Sequence, residues 1–103
     1  MKGRVAGFDW DGGNLEKCRK HGVSITEIEI LFTQPLTVLQ DERHSVFEQR
    51  FKAVGRGKFN RPIFLVFTLR NHDGKTFIRP ISARYMHRRE VKHYEEEISR
   101  LQD

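Results

Sequence analysis

The stretch Ile63-Phe64-Leu65-Val66-Phe67-Thr68-Leu69, followed by Arg70 and by Asn71-His72-Asp73-Gly74, sets the reading of the whole chain. A short run that is apolar at both odd and even positions reads as a central strand, covered on both faces. Asp-Gly after it is a tight hairpin signal. The chain then returns antiparallel over 75–84. Pro80 in this return strand has no N–H to give a ladder, so the strand is at an edge there or carries a bulge. Working back, Phe47, Phe51 and Ala53 alternate with Glu48, Arg50 and Lys52, which predicts a half-buried strand over 45–54 with a charged outer face. Residues 36–41 and 5–10 are two further short strand candidates, the latter an edge.

Helices flank these strands. Asp11 offers an N-cap and Gly22 a stop, predicting a short helix over 12–21. Ser24-Ile25-Thr26-Glu27 has the form of a capping box, with Val23 and Ile28 as a hydrophobic staple, and Pro35 ends that helix. After the last strand, His87, Val91, Tyr94, Ile98 and Leu101 recur on one helical face, opposite Arg88, Arg89, Lys92, Glu95, Glu96 and Arg100. Arg88 and Lys92 repel at i,i+4, while Glu96 and Arg100 attract. The expected fold is α+β: two N-terminal helices, a central antiparallel sheet of three to five strands, and a C-terminal helix. Helices should cover one face of the sheet and leave the other, partly polar, for function.

Composition narrows the class. Eight Phe and one Trp among 103 residues supply large apolar side chains for a core, which disordered chains lack. The longest apolar run, residues 63–67, is far short of the roughly 20 residues of a membrane span, so a soluble protein without membrane contact is expected. A single cysteine, Cys18, and an N-terminus without a secretory apolar segment point to a reducing compartment, most simply the cytoplasm. With no repeat, linker or low-complexity tract, residues 1–103 read as one domain.

Charge is uneven. Residues 1–54 carry eight Lys/Arg and eight Asp/Glu, whereas residues 55–103 carry eleven and six, so the whole net charge of +5 lies in the second half. Eight of those eleven cations are Arg, whose planar fork suits phosphate. That is the footprint of a polyanion partner, set against the plainer reading of solubility and local ion pairs.

Three clusters could carry chemistry. Lys20-His21 closes the first helix; it is either a cationic pair beside a phosphate or a C-cap for the last carbonyls. Gly55-Arg56-Gly57-Lys58, with Arg61 after it, is either a flexible loop that a nucleic-acid backbone can approach or an ordinary hairpin turn. Its spacing excludes a P-loop. Arg79, Ser82, Arg84, His87, Arg88 and Arg89 form the third. Arg79 and Arg84 lie five apart, which in a regular strand aims them at opposite faces, with Arg79 in the apolar row of Phe77, Ile81 and Ala83. An Arg there must be paired or line a site. The aromatics of the basic half are expected to be buried rather than offered for stacking. The five histidines show no HxH or HxxxH spacing and Cys18 stands alone, so no metal site is expected.

Taken together, Phe8-Asp9-Trp10-Asp11, Lys20-His21-Gly22-Val23-Ser24, Ala53-Val54-Gly55-Arg56, Phe64-Leu65-Val66-Phe67-Thr68, Ile78-Arg79-Pro80-Ile81-Ser82-Ala83-Arg84, Arg88, Glu90 and Tyr94-Glu95 resemble, in order and spacing, the BrnT family of toxins. The usual pattern is interrupted at Gly12-Gly13-Asn14, Pro80 and Met86. The resemblance implies a RelE-like fold and a metal-independent endoribonuclease of a type II toxin–antitoxin system, without cofactor. It implies that Arg56, Arg79 and Arg84 clamp the phosphate with Lys20 and His21 beside them, His21 being the best acid or base near neutral pH. Lys58, Arg61, Arg88 and Arg89 would add RNA contacts. The implied partners are RNA, a BrnA-like ribbon–helix–helix antitoxin, and promoter DNA through the complex. Set against this are a non-catalytic co-repressor subunit and a stand-alone nucleic-acid-binding domain.

Overall fold

The structure, a computed structural model, describes residues 5–41 and 48–102, save the side chains at 98, 101 and 102. In chain order the elements are β1 (Gly7–Phe8), α1 (Gly12–Arg19), α2 (Ile25–Leu31), β2 (Thr37–Asp41), β3 (Arg50–Arg56), β4 (Pro62–His72), β5 (Lys75–Tyr85) and α3 (Arg88–Gln102). Five strands form one sheet in the order β1-β5-β4-β3-β2, antiparallel except where β1 runs parallel to β5. The doubly apolar run is the middle strand, as its pattern requires. The β4–β5 turn has φ of 52° at Asp73 and 75° at Gly74, the pair of positive values that a two-residue hairpin matched to strand twist needs. The expected strand over 45–54 is seen as β3 from Arg50; its first residues, to Phe47, lie outside the described residues.

The core occupies one face of the sheet. Ala53, Ile63, Leu65, Phe67, Ile78 and Ala83 are buried there under Cys18 of α1 and Ile28 and Leu31 of α2, with Val23 between the helices. Phe32 joins Phe8 and Phe67 edge to face, centroids 5.6 and 5.1 Å away. The two glycines at the end of β3 belong to this packing. A Cβ on Gly55 would stand 2.8 Å from Leu36 and 2.9 Å from Leu31; one on Gly57 would stand 2.6 Å from both Glu27 and Ile63. Close approach to α2, not a flexible loop, accounts for both.

Helix starts differ from the sequence reading in an instructive way. The complete capping box is at α1: the Asp11 carboxylate accepts from the Asn14 N–H, while Asn14 Oδ1 accepts from the Asp11 N–H at 2.7 Å. At α2 only half the box forms. Ser24 caps the Glu27 N–H at 3.1 Å, but the Glu27 carboxylate turns inward and accepts from the Tyr85 hydroxyl at 2.7 Å. α2 also stops at Leu31, four residues short of Pro35, where Thr33 Oγ1 donates to the Ile30 carbonyl and the chain tightens. In α3, Val91 and Tyr94 are buried as their spacing predicts, whereas His87 precedes the helix and is exposed. Ile98 and Leu101 lie outside the described side chains.

Candidate nucleic-acid interface

β5 carries two of the predicted site arginines, and its irregularity decides where they point. Val66 pairs with Ser82, but the next residue, Phe67, pairs with Pro80, so Ile81 is the extra residue of a bulge. One inserted residue shifts the parity of everything before it. Arg79 therefore pairs with Thr68 and Arg84 with Phe64, both on the face of β4 turned away from the core. The regular-strand expectation of opposite faces is overturned by the residue the sequence flagged, Pro80. Arg56, paired with Pro62 at the end of β3, shares that same face. Arg84 and Arg56 reach Glu90 and Glu95 of α3, so α3 stands against one end of this second face, which is not left wholly open as expected.

The three arginines meet different fates. The Arg79 side chain is 18% exposed and lies between carboxylates, its guanidinium 2.8 Å from Asp11 and 3.5 Å from Asp9. His72 approaches Asp9 at 3.3 Å from the hairpin end. Asn14 completes this corner, donating from Nδ2 to the carbonyls of Asp9 (3.0 Å) and Pro80 (2.8 Å). The N–H groups of Asn14 and Gly13, with the Arg79 guanidinium, hold the Asp11 carboxyl below its usual pKa.

Arg84 is gripped through both terminal nitrogens by Glu90, at 2.9 and 2.7 Å, a bidentate pair. Glu90 also accepts from the His87 N–H at 3.1 Å and so caps α3. Arg84 first, and that N–H second, hold the Glu90 carboxyl down to about 2, and the same pair raises Arg84. Among the described residues two of the guanidinium's five N–H groups are used, both by Glu90. Arg56 is looser: it donates to the Asn60 carbonyl at 3.1 Å and stands 3.8 Å from Glu95.

Beside α3 and the β3–β4 turn opens a groove of about 600 Å³, lined by Arg56, Phe59, Asn60, Arg61, Pro62, Arg88, Val91, Lys92 and Glu95. Three predicted site residues, Arg56, Arg61 and Arg88, thus come together. Among the described residues no carboxylate pairs with Arg61, Arg88 or Lys92. Arg61 lies 3.6 Å over the Tyr85 ring, whose hydroxyl is the Glu27 donor. That hydrogen bond, and secondarily burial, raise the Tyr85 pKa. Glu27 is 6% exposed and its Oε2 has no hydrogen-bond partner.

Other predicted residues sit apart. Lys20 and His21 are exposed at the end of α1, in the layer on the core face, with no hydrogen bond, ion pair or ring contact to Arg56, Arg79 or Arg84. Lys58 is exposed in the β3–β4 turn next to the groove, and Arg89 is exposed on α3. Tyr94 is buried, and burial, then Glu97, push its hydroxyl up to about 12. Cys18 is buried, which pushes its thiol up to about 11.

Two groove residues escaped the sequence reading. Phe59, expected with the other aromatics in the core, is 94% exposed. The signal was its place between Gly57 and Pro62, mid-turn, where a ring has no layer to pack under. Lys92 had a signal too: the like-charged i,i+4 pair with Arg88, a small local cost that an anion relieves.

These features describe a basic α+β protein in which Arg61, Arg88 and Lys92, without a carboxylate partner among the described residues, line one groove. The family model described as "Ribonuclease toxin, BrnT, of type II toxin-antitoxin system" matches residues 10–90, more than three quarters of the chain, and the protein belongs to that family. It is thus a member of a ribonuclease toxin family, and type II membership implies an antitoxin partner. No curated protein matches the chain. Among the described residues no helix is long and apolar enough to cross a membrane.

Proposed function

We propose that the protein is a RelE-like endoribonuclease toxin that cleaves RNA in the cytoplasm without a metal ion, and that a BrnA-like ribbon–helix–helix antitoxin neutralises it and carries it to promoter DNA. The observation that carries this reading is the groove at the β3–β4 turn, where Arg56, Arg61, Arg88 and Lys92 face a single carboxylate, Glu95, within a family of ribonuclease toxins. Cations at this density favour phosphate oxygens and disfavour a divalent cation.

The chemistry is internal transesterification. The ribose 2′-oxygen attacks the adjacent phosphorus and loses its proton to a base. The bond to the 5′-oxygen breaks, that oxygen gains a proton, and a 2′,3′-cyclic phosphate and a 5′-hydroxyl result. Arg84 and Arg56 bind the phosphoryl oxygens as charge grows on them, with the N–H groups of Arg84 that Glu90 does not hold turned to the task. Arg61, Arg88, Lys58 and Arg89 hold flanking phosphates. Arg79, already neutralised by two carboxylates, ties β5 to α1 and shapes the sheet rather than gripping the same phosphate. His21, with Lys20 beside it, stands at the end of α1 apart from these arginines, so it serves as the acid or base only for RNA that reaches from the groove round to that helix end.

RNA incubated with the purified protein in EDTA tests this: cleavage persists in the chelator and is lost in Arg84→Ala. A flat comparison of pH–rate profiles for wild type and His21→Ala removes the role of His21. The bidentate hold of Glu90 on Arg84 favours a second reading, in which Arg84 only anchors α3 and the protein is a non-catalytic nucleic-acid-binding or co-repressor subunit. Retarded but intact RNA in the same assay supports that one.

A further inference from the structure

The β3–β4 turn presents an aromatic ring in a way that its own stability does not favour. Gly57 and Arg61 close the turn, the Gly57 N–H donating to the Arg61 carbonyl at 2.8 Å, and Arg56 steadies it by donating to the Asn60 carbonyl. Within it Phe59 has φ 56° and ψ 28°, and Asn60 has φ 60°. Asn is at ease in this left-handed region, but a Phe is strained there, its Cβ crowding its own backbone. The ring is also 94% exposed, so burial returns nothing for that strain. Strain held with no packing return marks a position kept for a contact outside the chain.

The surroundings say what contact. Arg56, Arg61, Arg88 and Lys92 share the groove with the ring, and Glu95 is its single acid. A protein hot spot sits in an apolar pocket. Here only Pro62 and Val91 add apolar lining to an isolated ring. A flat ring among cations matches instead the alternation of base and phosphate in single-stranded nucleic acid, where aromatic side chains stack on bases and Arg and Lys follow the backbone. We infer that Phe59 is a stacking platform for one unpaired base of the RNA, with Arg61, Arg88 and Lys92 holding the phosphates on either side. The inference rests on the RNA reading above and adds to it a recognition mode. The groove takes single strands, because bases already stacked in a duplex cannot reach the ring.

The test is equilibrium binding by the full chain of a short 2′-O-methylated oligoadenylate, which has no free 2′-hydroxyl to attack. Phe59→Asn suits the left-handed backbone and so folds at least as well as wild type. It should bind the oligomer about tenfold more weakly, while Phe59→Trp keeps or exceeds wild-type affinity. An oligomer with one abasic position should lose affinity for wild type but not further for Phe59→Asn, a coupling that a merely structural ring would not produce. The corresponding duplex should be indifferent to residue 59. If Phe59→Asn binds the single strand as wild type does while Arg88→Ala weakens it, the platform is refuted and the RNA reading stands. If wild type binds no RNA, both fall. If Phe59→Asn loses only its complex with the antitoxin, the ring belongs to a protein interface and the platform is refuted.

Discussion

Two regions of this molecule are rich in charge, and they are built on opposite plans. At the start of α1, Arg79 meets Asp9 and Asp11, and Asn14 fills the remaining hydrogen bonds, so every charge has an answer within the chain. At the β3–β4 turn, Arg61, Arg88 and Lys92 meet no carboxylate among the described residues, and a strained Phe stands in the open beside them. The first arrangement stabilises a corner of the fold. The second leaves interaction energy unspent, which is what a binding surface requires. Arg-rich sequence alone does not separate the two, because the difference lies in where the acids end up.

The largest expected effect is at the closed corner. Asn14→Ala removes a hydrogen bond to the Asp11 N–H and two to carbonyls, one of them the buried bond to Pro80. It should cost about 2–3 kcal/mol, seen as a lower urea midpoint, with the RNA affinity of the folded protein unchanged. At the open groove the pattern should invert. Arg88→Ala with Lys92→Ala should lower RNA affinity by about tenfold and flatten the salt dependence by roughly 0.7 per lost phosphate contact in log–log slope. Thermal stability should hold or rise slightly, because a repelling i,i+4 pair is gone. Phe59→Asn should raise stability by about 1 kcal/mol, the cost of a left-handed Phe, measured by urea unfolding.

The smallest effect separates the Arg84–Glu90 pair from both regions. The folded pKa of Glu90, held to about 2, lies below its ordinary value near 4.5. The folded state therefore binds its proton less readily than the unfolded chain. The pair's contribution is complete above pH 4.5 and is lost as pH falls through about 2. With both side chains partly exposed, solvent screening keeps it within about 1 kcal/mol. The stability difference between wild type and Glu90→Gln should be constant from pH 7 to near 5 and vanish towards pH 2.

Much of this architecture could be read from the chain. The doubly apolar run became the middle strand, Asp73-Gly74 the tight turn, and Val91 and Tyr94 the buried stripe of α3, because local pattern governs each. One thing was half legible: Pro80 marked an edge or a bulge without saying which, and the bulge at Ile81 brought Arg79 and Arg84 to one face. Three things could not be read. Asn14 capped α1 and at the same time bonded Pro80, 66 positions away, so that two departures from the family pattern meet each other. The carboxylate of Glu27 left its own helix start for Tyr85. Gly55 and Gly57 answered to α2, not to a ligand. In each case a partner distant in sequence outweighed a local rule. The cations themselves were legible, but their pairing was not.

The difference between the closed corner and the open groove can be measured in one titration. Backbone and arginine side-chain NMR signals of the intact protein are followed as a short 2′-O-methylated oligoadenylate is added. Shifts should concentrate at residues 56–61 and 88–92 and leave 9–14 and 79 in place. Shifts centred on Asp9, Asp11 and Arg79, with the β3–β4 turn silent, would contradict the assignment of the groove as the RNA surface.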